Sequence, residues 1–363
     1  MSAASVERAA PATPSARRRV MALALPAVGE QLLNTMVGLA DVYLVGNLSA
    51  AAAERLGYGS ATAIAAAGLG NQFIWLMMVV FMAMGVGATA LVARAVGARD
   101  EEAARRVVRQ AFLLAALMGA AVTVLALFVA EPFLALIGAP PETVEPSLAY
   151  IRINAAAFLP AVLLMVGTAC LRGAGDTRTP LLLMLAINVT NVGVALLLVN
   201  GAMGLPALGV LGAALGAALG RGLGGIAVLA LLLRGHAGLR LTLGGGSDWT
   251  TLRRLVNVGL PSAGEQMIFQ GAMLIFVRFV NDLGTQAYAA HNIAITIESL
   301  SFLPGMGYAV ATSALVGQAL GARDPRAAEG YAYESLFQGA LMMSLIGAAM
   351  VIFPRELVAL FTS

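Results

Sequence analysis

Four carboxylates lie inside long apolar stretches of this sequence, where a charge is costly. Glu30 and Asp41 fall in the first stretch, and Glu265 and Glu298 fall in two later ones. A charged side chain at the centre of a bilayer costs at least ~2.5 kcal/mol of insertion free energy, so each acid is a functional candidate. Because a carboxylate can take up a proton or bind a cation, these residues predict the exchange of one for the other.

Glu30, Asn34 and Asp41 form a polar stripe along one face of the first predicted helix. They stand at positions i, i+4 and i+11, and eleven steps of about 100° return a helix to nearly the same direction. Such a stripe must face the protein interior or a water-filled cleft. A proton, Na⁺ and a cationic substrate would compete there for the same carboxylates, which is the physical basis of antiport.

The second half of the chain holds the remaining candidates. Glu265 is the repeat partner of Glu30, and each follows a helix proline by four residues. The pair has two interpretations, as coupling sites or as partners for backbone groups that the prolines leave free. Gln270 is a candidate for substrate contact in the same span as Glu265. His291 and Glu298 share a helix face, which predicts a proton relay or, alternatively, a hydrogen-bonded interior histidine.

The composition requires a membrane protein. Of 363 residues, 60% are hydrophobic and 11% are charged, and the mean hydropathy is +0.86, whereas soluble domains carry roughly 25% charged residues. All 22 basic residues are arginine, which excludes the lysine chemistry of a Walker A loop or a Schiff base. The single cysteine, Cys170, excludes an internal disulfide and is expected to be a small buried apolar residue.

The predicted fold is an all-α polytopic membrane protein with about nine transmembrane helices, because apolar blocks of 18 or more residues can cross a bilayer. The expected spans lie near residues 17–46, 62–93, 107–130, 148–171, 180–200, 206–233, 255–280, 288–319 and 328–353. The predicted domains are a disordered tail (1–16), an N-terminal lobe of six helices (17–235), a linker (236–254) and an incomplete C-terminal lobe of about three helices (255–363).

The arginines indicate the orientation. When the loops are assigned alternately to two sides, 17 of the 22 arginines fall on the side of the N-terminus, and only Arg55 and Arg355 fall on the other. The positive-inside rule then predicts a cytoplasmic N-terminus and linker in a multi-pass protein of the cell inner membrane. The arginines are too dispersed for a nucleic-acid surface, so the predicted partners are the lipid bilayer and small molecules.

The chain also repeats itself. LPAVGEQ at 25–31 returns as LPSAGEQ at 260–266, and GARD at 97–100 returns at 321–324. The two offsets, 235 and 224, differ by an 11-residue insertion around residues 50–60. Parallel repeats that face each other across a cleft are typical of secondary transporters. The second copy reaches only Ser363, which matches Ala139, so we expect a fragment or a truncated gene.

Several segments together resemble one transporter family. They are GLADVYLVG (38–46), the two GARD loops, LRGAGDTRTP (171–180), GLP (259–261) and residues 289–325. In this order they are similar to the multidrug and toxic compound extrusion (MATE) transporters. The resemblance implies two six-helix lobes that export organic cations or drugs in exchange for H⁺ or Na⁺ by alternating access. We expect a monomer, no cofactor beyond the coupling ion and no enzymatic activity.

The resemblance also implies an ion site in the first lobe. The family's acidic coupling position matches Asp41, and the expected site adds the amide oxygens of Asn188 and Asn191, for H⁺ or a loosely held Na⁺. The sequence departs from the family at two acids. The second acid of span five is replaced by Ala195, and the span-seven acid of another branch is replaced by Phe269.

Two further patterns concern packing and substrate binding. Glycines recur every four residues along span six, at Gly212, Gly216, Gly220 and Gly224, which predicts close helix packing. Methionines and aromatic residues crowd span two, where they would form either an adaptable wall for flat cations or a lipid-facing surface. These residues are Phe73, Trp75, Met77, Met78, Phe81, Met82 and Met84.

Three other functions fit parts of the sequence. An intramembrane enzyme would need a nucleophile and base, or metal ligands, at helical spacing, and two histidines and one cysteine form no such set. A flippase of related fold for lipid-linked precursors would favour a cationic cavity, whereas the interior here is expected to hold more acids than bases. A truncated remnant without transport activity is the third.

Overall fold

The structure, a computed structural model, consists of helices joined by short turns. It describes residues 14–242, 244, 246–282 and 284–359. The helices are α1 (Pro14–Gly46), α2 (Ala50–Leu56), α3 (Ser60–Gly97), α4 (Glu101–Leu136), α5 (Pro141–Ala156), α6 (Phe158–Gly173), α7 (Arg178–Leu198), α8 (Val210–Arg234), α9 (Trp249–Asp282), α10 (Thr285–Gly321), α11 (Pro325–Ile352) and α12 (Pro354–Ala359), with a 3₁₀ turn at Ala202–Gly204.

Each predicted span has a helix in its place, and the fourth has the pair α5 and α6. Within the described ranges, seven helices are long and apolar enough to cross a membrane, and the bent pair makes eight. α9 occupies the place of the seventh predicted span but is not among them, and Glu265, Gln270 and Arg278 interrupt its apolar sequence. It packs along α3. The predicted all-α membrane architecture is confirmed.

Three boundaries differ from the prediction. α1 begins at Pro14, so the last residues of the predicted tail are helical, and residues 1–13 lie outside the described part. α9 begins at Trp249, inside the predicted linker. The fourth span is not one straight helix, because it bends by 53° at Ala157. Pro160 explains the bend, since its ring clashes with the carbonyl group of Ala156, where α5 ends.

The insertion in the first repeat forms the short helix α2. Its N-terminus is capped by Ser49, whose side chain accepts a hydrogen bond from the amide of Ala52 at 3.2 Å. It ends at Gly57, whose φ of 73° suits glycine. The extra residues therefore add a short helix between α1 and α3 along the chain and leave the register of the repeat unchanged after it.

The two GARD loops form the same turn in both repeats. Arg99 and Arg323 have positive φ values of 56° and 61°. Asp100 and Asp324 then cap the following helices, accepting hydrogen bonds from the amides of Ala103 (2.8 Å) and Ala327 (2.9 Å). The repeated sequence thus has a repeated structure. We call the end of the molecule that carries these loops and the linker the arginine-rich end.

The two repeats cross each other at this end through equivalent glycines. A Cβ added to Gly97 of α3 would lie 1.9 Å from the carbonyl oxygen of Gln318 in α10, and one added to Gly321 would lie 2.1 Å from that of Arg94 in α3. The 224-residue offset relates Gly97 to Gly321 and Arg94 to Gln318. One contact is therefore made twice, as at an interface with two-fold symmetry. We call it the glycine crossing.

A second pair of contacts follows the same symmetry. A Cβ at Gly87 of α3 would lie 2.6 Å from the carbonyl oxygen of Leu255 in α9. The equivalent residues, Ala311 of α10 and Val20 of α1, lie together in a buried cluster. Both contacts lie toward the arginine-rich end, so the two repeats are packed against each other there.

Candidate functional site

Asp41 and Asn191, two residues of the predicted ion site, are in contact. The Nδ2 group of Asn191 donates to both carboxylate oxygens of Asp41, each at 3.2 Å. Asn191 is 2% exposed, and Asp41 is half-buried. The structure therefore brings together the two positions, on α1 and α7, that the resemblance assigned to one site.

The glycine stripe of α8 holds Asn191 in place. A Cβ added to Gly216 would lie 2.6 Å from both the backbone oxygen and the Oδ1 atom of Asn191. Gly212 and Gly220 approach the α7 backbone in the same way. The predicted close packing along this stripe is confirmed, and it leaves Asn191 no space to move toward α8, away from Asp41.

Asn188 and Asn34 lie nearby without contacting Asp41. The Nδ2 group of Asn188 donates to the backbone oxygen of Leu33 at 2.7 Å, which fastens α7 to α1. Its Oδ1 atom is buried and has no hydrogen-bond partner among the described residues. Asn34 is exposed and lines the adjoining cavity. A role for these two amides as ion ligands stays a prediction.

Glu30 forms an ion pair that the sequence pattern did not indicate. Arg172 Nη1 donates to Glu30 Oε1 at 2.7 Å, and the two side chains are 18% and 14% exposed. The arginine count assigned Arg172 to a loop, but the residue belongs to the last turn of α6. The two interpretations of Glu30, coupling acid or backbone partner near Pro26, are thus joined by a third, the counter-ion of an arginine. Its coupling role stays a prediction.

Arg221 is the functional candidate that the sequence reasoning missed. Its Nη1 group donates to Oδ1 of the buried Asn154 at 2.9 Å. Its charge is close enough to interact electrostatically with Asp41 and Tyr150. A signal was present in the sequence, because an arginine between glycines in an apolar span is costly and must face the protein interior.

A cavity of about 450 Å³ lies beside the contact of Asp41 with Asn191 and is lined by Asn191 and Arg221. Helices α1, α3, α6, α7 and α8 supply its walls, and α10 adds Met306. Its polar lining residues are Glu30, Gln31, Asn34, Thr168, Arg172, Asn191 and Arg221. Its larger apolar lining residues include Trp75, Met78, Met82, Met165, Met184 and Met306. Flexible methionines beside an aromatic ring suit a pocket that adapts to varied apolar molecules.

The methionine and aromatic residues of span two divide between two roles. Trp75, Met78 and Met82 line the cavity, as the substrate-wall interpretation requires. Phe73 and Phe81 are fully buried in the helix packing. Neither predicted alternative, a substrate wall or a lipid-facing surface, therefore describes the whole group.

The charges lining this cavity and directly beside it are balanced, which corrects the expectation of more acids than bases. The ion pair of Glu30 and Arg172 is neutral as a unit. Arg221 then supplies one positive charge near the one negative charge of Asp41. The net formal charge of these four groups is therefore zero when Asp41 is ionised and rises by one when Asp41 is protonated.

The predicted residues of the second half lie apart from this cavity. Glu265 and Glu298 are exposed, and Gln270 is half-buried. The ring of His291 packs edge-on against Phe276, with ring centres 5.2 Å apart. Its Nε2 atom is buried without a hydrogen-bond partner in the described ranges, so a hydrogen bond at this nitrogen is not observed. The proton relay with Glu298 stays a prediction.

Metal-binding and cysteine chemistry find no support in the described part of the chain. No group of three or more histidine, cysteine, aspartate or glutamate residues there could hold a metal ion. Cys170 is fully buried, as predicted.

Comparisons with known proteins point to one family. The model of the family described as MatE matches residues 26–197 and 261–363. The chain is 32% identical to a probable multidrug resistance protein, NorM, of Thermotoga maritima, covering 96% of this chain and 73% of that protein. It is 28% identical to the multidrug resistance protein PmpM of Pseudomonas aeruginosa, covering 94% and 70%.

Solved structures share the fold. A transporter of the MOP superfamily from Pyrococcus furiosus, described as having a binding pocket of reverse polarity, matches with a TM-score of 0.86 at 25% identity, over 96% of this chain and 74% of that chain. A multidrug resistance MATE transporter described in an outward-facing conformation matches with a TM-score of 0.85 at 25% identity, over 96% and 74%.

Proposed function

The chain belongs to the MatE family of multidrug efflux transporters, and on that premise we propose that it exports organic cations in exchange for protons. Members of this family are transporters and not enzymes. One observation carries the proposal: the contact of Asp41 with Asn191 beside a methionine-lined cavity. In this mechanism Asp41 binds the coupling proton, and the cavity binds the exported molecule.

The surroundings of Asp41 favour H⁺ over Na⁺ as the coupling ion. Na⁺ needs several oxygen ligands, but Asn191 presents its NH₂ group to both carboxylate oxygens. The family's second acid is absent at Ala195, and Arg221 already supplies a positive charge. Na⁺ at Asp41 would therefore lack a full set of oxygen ligands, whereas a proton binds covalently and needs no ligand shell.

Charge balance links the proton to the exported molecule. With Asp41 ionised, an organic cation entering the cavity meets a site of zero net formal charge, with the Asp41 carboxylate just behind the lining residue Asn191. Protonation of Asp41 leaves Arg221 uncompensated, and the site then repels the cation. Uptake of a proton from outside would thus release the substrate there, and loss of the proton to the inside would restore the substrate site.

The flippase alternative receives less support from the same residues. It needs unpaired cationic groups for phosphates, and two arginines do line the cavity. Glu30 neutralises Arg172, however, and Arg221 is engaged by Asn154 and lies near Asp41. The arrangement favours a cationic or neutral substrate.

The coupling ion can be measured in proteoliposomes that contain the purified chain. We expect efflux of ethidium when a proton gradient is imposed at equal Na⁺, and none when a Na⁺ gradient is imposed at equal pH. The control is the same vesicles with a proton ionophore, which should stop efflux. Efflux driven by Na⁺ alone would contradict proton coupling.

We also propose that the arginine-rich end faces the cytoplasm, with the substrate cavity then opening toward the outside. The buried Cys170 should not react, so introduced cysteines can be labelled singly. An impermeant thiol reagent applied to intact cells should label a cysteine at Pro141, and it should not label one at Ala103 or Ala237. Labelling at Ala103 together with protection at Pro141 would reverse the proposed orientation.

A further inference from the structure

A second pocket, separate from the transport cavity, lies between α4 and α8 near the arginine-rich end. Its volume is about 290 Å³. α6 packs against both α4 and α8 and contributes Leu163 to the pocket, while Leu241, Thr242 and Gly246 of the linker close one end. Leu113 on the same wall is 39% exposed, so the pocket is continuous with the surface of the helix bundle.

Two adjacent polar side chains at this pocket have buried atoms without a hydrogen-bond partner among the described residues. Arg109 donates from Nη1 and Nη2 to the backbone oxygens of Gly244 (3.1 Å) and Gly246 (3.2 Å), and its Nε atom is buried without a partner among the described residues. Gln110 is 0% exposed; its Nε2 donates to Gly246, and its Oε1 likewise lacks a partner. One donor and one acceptor on consecutive residues thus have no partner in the described part of the chain, whereas buried polar groups normally have one.

The remaining walls of the pocket are apolar. They are formed by residues such as Leu113, Ala116, Leu163 and Leu229. The third span was predicted to begin near residue 107, so Arg109 and Gln110 stand where the polar boundary of the bilayer meets the hydrocarbon. A ligand that matches the pocket needs an acceptor for Arg109, a donor for Gln110 and an apolar chain, all at the depth of lipid headgroups.

We propose that this pocket binds one phospholipid whose headgroup carries a hydrogen-bond donor. The phosphate accepts from Arg109 Nε, a headgroup hydroxyl or ammonium group donates to Gln110 Oε1, and an acyl chain lies along Ala116, Leu163 and Leu229. The lipid would then join α4 and α8 to the linker that connects the two repeats. This site is independent of the transport cavity and of the coupling ion.

Native mass spectrometry of the full 363-residue chain in mild detergent tests the proposal. Phosphatidylglycerol and phosphatidylethanolamine, which carry headgroup donors, should be retained about tenfold more than phosphatidylcholine, which has the phosphate but no donor, since one buried hydrogen bond to an otherwise unpaired group is worth about that factor. Inorganic phosphate should neither bind detectably nor compete. Equal retention of all three lipids, or competition by inorganic phosphate, would overturn the proposal.

Two variants test the headgroup contact and the acyl-chain contact separately. Gln110→Leu should abolish the preference among headgroups, and Ala116→Trp should reduce retention of all three lipids because it fills the acyl position. Arg105→Gln is the matched control on the same helix, since Arg105 is exposed and paired with Glu101, and it should behave as wild type. If Gln110→Leu does not elute as a folded protein, Ala116→Trp remains decisive. Unchanged retention in Ala116→Trp would contradict the site.

Discussion

The Asp41→Asn variant is expected to lose proton-driven ethidium efflux completely while it inserts and folds like the wild type. Asparagine keeps the size of the side chain and can still hydrogen-bond Asn191, but it cannot gain or lose a proton. The cavity then carries the uncompensated charge of Arg221 in every state. Substrate binding should weaken as well as coupling, and efflux from proteoliposomes should fall to the level of empty vesicles.

A matched control separates this effect from general damage. Glu131→Gln makes the same chemical change at an exposed position on α4, away from the cavity, and it should transport like the wild type. Elution on gel filtration should be the same for both variants. Ion-driven efflux at wild-type rate in Asp41→Asn would exclude the proposed mechanism and direct attention to Glu265 and Glu298.

Substitutions at the glycine crossing are expected to have the second large effect on transport. A methyl group at Gly97 or Gly321 would overlap a backbone oxygen of the other repeat, so Gly97→Ala and Gly321→Ala should both destabilise the state in which the arginine-rich end is closed. Overpacking of this kind costs about 1–3 kcal/mol, which lowers the population of that state relative to an open one by about 5- to 150-fold. Efflux should fall in proportion.

The change can be measured as a distance. Spin labels at Arg105 and Glu329, exposed near the starts of α4 and α11, should move apart in both variants. Gly68→Ala and Gly222→Ala are suitable controls, because nothing lies within 4 Å of an added Cβ at either position, and they should leave the distance unchanged. An unaltered distance in both crossing variants would show that the crossing does not control closure.

Long-range contacts mark the limit of what the sequence predicted. The repeat could be read from the sequence, and the glycine packing of α8 followed from spacing along one helix. The pairing of Asp41 with Asn191, which are 150 residues apart, followed only from the family resemblance. The ion pair of Glu30 with Arg172 spans 142 residues and joins α1 to α6. No local pattern indicates which helices become neighbours, and the loop count therefore placed Arg172 outside the membrane.

The sequence itself contains a signal for the bend at Ala157 and another for the interior position of Arg221. Pro160 marks the end of α5 by the ordinary rule for helix prolines. Arg221 is an ionised residue in a glycine-rich apolar span, and the cost of that position required an interior partner. In both cases a single residue departs from the pattern around it: Pro160 interrupts a continuous helix, and Arg221 interrupts an apolar span.

The close packing of α8 against α7 along the glycine stripe has a mechanical consequence. Where the backbones of two helices are in direct contact, no side chains between them can change rotamer to give a second packed arrangement. We therefore expect α7 and α8 to move as one rigid unit. Bending must then occur in more compliant parts. Three of the four helices that meet at the contact of the two repeats contain interior prolines, Pro26 in α1, Pro261 in α9 and Pro304 in α10. During a transport cycle we expect helix bending to concentrate at those three prolines, while the rigid unit of α7 and α8 that carries Asn191 keeps its shape.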